Sequence, residues 1–88
     1  MGQDLRTSAE AIRRATRRTL EVADGLGARS LALPAFGTGV GGFPLDECAR
    51  IMVAEARTFE AAVLARVVFA VYGSEAERAF TTACDWRP

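Results

Sequence analysis

Four glycines within six residues, Gly37, Gly39, Gly41 and Gly42, make the segment of this chain best suited to chemistry on an anion. Leu31-Ala32-Leu33-Pro34-Ala35-Phe36 precedes them and Phe43-Pro44 follows, an order that predicts a short apolar strand, a loop and a helix opened by proline. Glycine permits positive φ and lets a ligand reach the main chain without meeting a Cβ. A loop of this kind directs several N–H groups to one point beside the positive end of a helix dipole, a cradle for phosphate or another anion.

Other residue types narrow the chemistry. The chain has no histidine, which removes Ser-His-Asp and Cys-His catalysis and the commonest transition-metal ligand. Thr38 therefore has no base to activate it. Asp46 and Glu47, in the first turn of the expected helix, suit the macrodipole better than an acid–base pair. Cys48 and Cys84 lie far apart in helical patterns and are expected to be buried, reduced thiols. No catalytic residue, metal site or cofactor emerges. Formal net charge is zero, so neither nucleic acid nor a membrane surface is an expected partner. No signal peptide or span of membrane length is evident, and a cytoplasmic location is expected.

The elements that would position the loop follow from periodicity. Thr7-Ser8-Ala9-Glu10 fits a capping box, and Ile12, Ala15, Leu20, Ala23 and Leu26 recur at helical spacing, with Gly27 as the C′ residue. Arg13, Arg14, Arg17 and Arg18 read as a solvated face. Ser30–Leu33 is a strand, and Pro44 opens a helix running to about Glu60. That helix is apolar on more than one face, through Leu45, Cys48, Ile51, Met52, Val53, Ala56 and Phe59, as a helix packed on two sides would be. Val63–Tyr72 holds the second strand, whose run Arg66-Val67-Val68-Phe69-Ala70-Val71 suggests cover on both faces. Ser74-Glu75-Ala76-Glu77 is a second capping box, starting a last helix through Ala79, Phe80 and Ala83. The order α-β-α-β-α defines an α/β chain built on one right-handed βαβ unit with two parallel strands. Two such strands leave hydrogen-bonding edges open on both sides.

Gly37, Gly39 and Gly42 match G-x-G-x-x-G, but the first acidic residue after the second strand is Glu75, 33 positions beyond Gly42. That spacing argues against the usual dinucleotide geometry. The wider stretch Ser30–Pro44 resembles the second phosphate loop of macro domains. There a strand ending in Pro-Ala-hydrophobic-Gly/Ser-Thr-Gly leads to a Gly-Phe-Pro or Gly-Tyr-Pro helix start. Val67–Tyr72 with Glu75, Glu77 and Phe80 is similar to the family's last strand and C-terminal helix, and Asp4–Ser8 to the element before the loop strand.

The resemblance implies a partial three-layer α/β/α macro-domain fold, with residues 1–88 as the C-terminal part of the domain. It implies a ligand of ADP-ribose, free or on an ADP-ribosylated protein, its diphosphate and distal ribose wrapped by Gly37, Thr38, Gly39, Val40, Gly41 and Gly42. Tyr72 would reach the adenine, or else serve as an interfacial aromatic. Phe43 would pack beneath the helix start. The family's first half, with its other glycine loop and adenine-reading acid, has no counterpart here. Hydrolytic members often carry Phe or Tyr where this chain has Gly41, so the resemblance implies a binding module rather than a self-sufficient enzyme. The alternatives are an ADP-ribosyl hydrolase or deacylase that needs the absent N-terminal half, and a non-binding remnant that self-associates into a homo-oligomer through its open strand edges.

Overall fold

The computed structural model describes residues 9–36 and 44–85. Along them run α1 (Ala9–Gly25), β1 (Ser30–Leu33), α2 (Leu45–Thr58), β2 (Arg66–Phe69) and α3 (Ser74–Asp85), in the expected α-β-α-β-α order. The strands pair in parallel, in register from Ser30↔Arg66 to Leu33↔Phe69.

Local signals explain most boundaries. Helix α1 ends in a Schellman motif: the Gly27 amide bonds the Asp24 carbonyl at 3.1 Å and the Ala28 amide bonds the Ala23 carbonyl at 3.0 Å. Gly27 takes φ +82°, the left-handed conformation that this motif requires. The expected box at Thr7 lies outside the described residues. The box at Ser74 does not form, because Ser74 is already the first helical residue. The Glu77 amide instead bonds the carbonyl of Gly73, which sits at φ +89° and takes the capping position.

Alternation sorts the strands into two faces. Leu31, Leu33, Val67 and Phe69 turn toward a core formed by Ile12 of α1, Cys48, Ala49, Met52 and Val53 of α2, and Ala79, Phe80 and Ala83 of α3. On the other face Ala32 is exposed and Val68 keeps 41% of its surface. The apolar run through β2 suggested cover on both faces, but the described residues cover one. They supply the sheet and one helical layer of the three-layer arrangement. Helix α2 packs against both α1 and α3, which accounts for its broad apolar surface.

The arginine face of α1 does more than meet solvent. Arg17 and Arg13 reach Glu55 of α2 at 3.0 and 3.7 Å, and the Glu55 side chain is only 12% exposed. Arg13 and Arg14 also pair with Glu10 of their own helix, at 2.9 and 3.6 Å. Between these neighbours Thr16 is buried and its hydroxyl bonds the Ile12 carbonyl at 2.8 Å. That satisfaction lets a polar side chain occupy a core position.

Asp24 ties the end of α1 to the chain entering β2. Its carboxylate accepts the backbone N–H groups of Ala62, Val63 and Leu64 at 3.0, 2.7 and 2.8 Å. These bonds hold the carboxyl below its ordinary pKa, against a smaller opposing effect of burial. A depressed carboxylate adds stability that is complete above the ordinary carboxylate pKa and lost as pH falls through the lowered one. Asp24→Ala is expected to lower the thermal midpoint at neutral pH and to flatten the loss of stability below about pH 4. Unchanged melting across that range would show that the clamp contributes nothing.

Candidate functional site

Parallel pairing brings the carboxyl ends of both strands to one end of the sheet. The Ala70 amide bonds the Leu33 carbonyl at 2.8 Å, extending the pairing past β2. From that end β1 passes into Pro34-Ala35-Phe36, and β2 passes through Val71, Tyr72 and Gly73 into α3. Helices α2 and α3 both start here, so the positive ends of two macrodipoles flank one region.

Helix α2 starts after Pro44, at φ −57° and ψ 128°, and no side-chain bond caps it. The Cys48 amide donates to the Pro44 carbonyl at 3.0 Å, while amides of the first turn have no partner within the helix. Cys48 also fastens the two stems of the glycine segment. Its Sγ–H donates to the Phe36 carbonyl at 2.9 Å, joining the chain that leaves β1 to the first turn of α2. Met52 Sδ lies 3.7 Å from the same sulfur.

Burial pushes the Cys48 thiol pKa up, opposed in part by the Phe36 bond, so the sulfur stays a protonated donor. Cys84 is exposed, which corrects the expectation of two buried thiols. It lies in the last turn of α3, at the rim of grooves lined by Arg57 of α2 and by Val67 and Phe69 of β2. A thiol reagent at mildly alkaline pH is expected to modify Cys84 readily and Cys48 only in denaturant. Equal rates at the two sulfurs in the folded chain would contradict the burial of Cys48.

Tyr72 stands at the strand ends with 97% of its surface exposed. Its ring packs on no described part of the core and faces the solvent beside the start of α3. Gly37, Thr38, Gly39, Val40, Gly41, Gly42 and Phe43 lie outside the described residues. A groove of about 520 Å³ runs between α2 and α3, lined by Asp46 and Arg50 of α2 and by Glu75, Arg78 and Thr82 of α3. Sequence reasoning missed this groove, because its walls are helices separated by a strand. The stem role of Cys48 was also missed; only its position one turn past Pro44 hinted at it. Among the described residues no helix is long and apolar enough to cross a membrane.

A parallel α/β unit whose strand ends meet two helix starts belongs to the class that holds ligands beyond the carboxyl ends of its strands. The family model for the Macro domain matches residues 1–52. An uncharacterised protein of Mycobacterium tuberculosis is 62% identical over 77 residues, covering 88% of this chain and 21% of that protein. A macro domain-containing protein of Streptomyces coelicolor is 41% identical over 64 residues, 73% of this chain and 37% of that protein. The Trypanosoma brucei macrodomain in complex with ADP superposes with a TM-score of 0.81 at 26% identity, over 88% of this chain and 34% of that one. The same macrodomain in complex with ADP-ribose gives 0.80 at 26% identity, over 86% and 34%.

The chain belongs to the macro domain family. It spans about a fifth to two-fifths of the length of the relatives it matches, and about a third of the macrodomain structures.

Proposed function

We propose that this chain binds ADP-ribose, free or carried on a protein, at the end of the sheet where β1 and β2 meet the starts of α2 and α3. The observation that carries the reading is the superposition on macrodomain structures that hold ADP and ADP-ribose. The uncapped start of α2, the pinned stems of the glycine segment and exposed Tyr72 all lie at that end, and support it.

In this reading the main-chain N–H groups of Gly37, Thr38, Gly39, Val40, Gly41 and Gly42 hold the diphosphate and distal ribose. The positive end of α2 adds to their field. Tyr72 offers its face to the adenine, a flat apolar surface against a flat base. Binding is then electrostatic and steric, and no step needs a nucleophile. Residues 1–88 act as the C-terminal part of a macro-domain-like unit.

Calorimetric titration of the purified chain with ADP-ribose, and with NAD for comparison, tests the proposal. Saturable binding that favours ADP-ribose is the expected result. A folded sample that gives no heat with either ligand would sink the reading for this chain.

A further inference from the structure

Cys48 bonds both ends of the glycine segment at once. Its amide donates to the Pro44 carbonyl at 3.0 Å and its Sγ–H to the Phe36 carbonyl at 2.9 Å. Between those two carbonyls the chain runs through residues 37–43, which include Gly37, Gly39, Gly41 and Gly42. Strand β1 ends at Leu33 and α2 begins at Leu45, so the strand and helix by themselves leave residues 34–44 between their anchors. The Cys48 bonds move the anchors inward to Phe36 and Pro44, and the span between them shortens from eleven residues to seven.

This anchor sits in the core. Cys48 is fully buried, Met52 Sδ lies 3.7 Å from its sulfur, and Ala35, Phe36 and Leu45 pack against the same cluster. A side chain in the first turn of a helix leans back toward the N-terminus, which aims the thiol at the chain leaving β1. Sulfur suits the position, because a thiol fills apolar space as a small hydrophobe and still donates one weak bond. Burial raises the thiol pKa, so the donor keeps its proton through the neutral range.

We propose that Cys48 is a positioning residue for the ligand: it ties the entry and exit of the glycine segment together before ADP-ribose arrives, and sets the affinity without touching the ligand. This inference rests on the ADP-ribose reading above. Glycine loses more conformational freedom than any other residue when a backbone is ordered, so a segment with four of them gains most from tied stems. An anchor already present in the free chain removes part of that ordering cost from binding. Without the thiol bond, the stretch around Phe36 must be fixed at the moment the ligand is wrapped.

Cys48→Ala and Cys48→Ser test it together, because the two side chains differ by a single hydroxyl. Calorimetry with ADP-ribose reads affinity, and urea unfolding reads stability on the same preparations. Cys48→Ala is expected to bind about five- to tenfold more weakly than the parent, and Cys48→Ser within about twofold of it, since a hydroxyl also donates to the Phe36 carbonyl. Both variants lose the packing of the sulfur, so a purely structural role would weaken binding equally in the two. The infrared S–H stretch of the Cys84→Ser chain, whose one thiol is Cys48, supplies a readout that needs neither variant. That band is expected at the lowered frequency of a bonded thiol in the free chain, and unmoved when ADP-ribose saturates it. Equal affinity of parent and Cys48→Ala, or a loss that Cys48→Ser shares, overturns the proposal and leaves ADP-ribose binding standing. A band at the unbonded frequency, or one that shifts only when ADP-ribose is added, overturns it whatever the variants show. A folded parent that gives no heat with ADP-ribose overturns both readings.

Discussion

Gly39→Val is expected to abolish ADP-ribose binding, by at least about a hundredfold, while the helical circular-dichroism signal stays unchanged. The expectation rests on what a diphosphate cradle demands of a main chain. Several consecutive N–H groups must converge on oxygens at hydrogen-bond distance, and turning them inward takes dihedral angles that a β-branched residue resists. A valine at this point adds bulk where the ligand must approach and restricts the backbone that must wrap it. Among the described residues the core draws its buried side chains from α1, β1, α2 and α3, so the scaffold is expected to fold without Gly39. Calorimetry and circular dichroism on the same sample separate the two effects. A matching loss of both signals would refute the separation of binding loop from scaffold, and unaltered affinity would refute the cradle. Thr38→Ala is a useful contrast: main-chain N–H groups carry the proposed contact, so its effect should be far smaller.

Phe80→Ala should remove most of the stability of the chain. Phe80 is 4% exposed, and its ring centroid lies 5.2 Å from that of Phe69. The pair joins α3 to the core face of β2. Truncating a buried phenylalanine costs about 3–5 kcal/mol through lost transfer energy and the cavity left behind. Natural domains keep about 0.05–0.15 kcal/mol per residue, which for 88 residues is about 4–13 kcal/mol. The core is also shallow, since among the described residues the sheet has two strands and one covered face. Urea unfolding of the parent and variant measures the difference, and Phe80→Leu should recover a large part of it. A loss below about 1 kcal/mol would mean that this site collapses around the truncation.

Much of the architecture is local and can be read along the chain. Ser30–Leu33 is a strand as expected, because four residues between turn signals are too few for a helix. Gly27 ends α1 because the glycine itself supplies the left-handed conformation. The broad apolar surface of α2 announced packing on two sides, which α1 and α3 provide. The second capping box was misread for an equally local reason: Gly73 can cap a helix one residue earlier, leaving Ser74 already inside it.

Element order, the parallel strand pair and the family are all legible along the chain. Each of these depends on periodicity or on residue types close together in the chain. That the Asp24 carboxylate accepts amides 38 to 40 residues away, and that Arg17 reaches Glu55, follows from the packed fold alone. The fold likewise sets the Cys48 thiol on the Phe36 carbonyl, and turns Val68 away from the core while Val67 and Phe69 pack against it. Such pairings carry no local signature. They arise when strand register and helix packing bring distant groups together, and burial or a well-aimed donor then selects which contacts form.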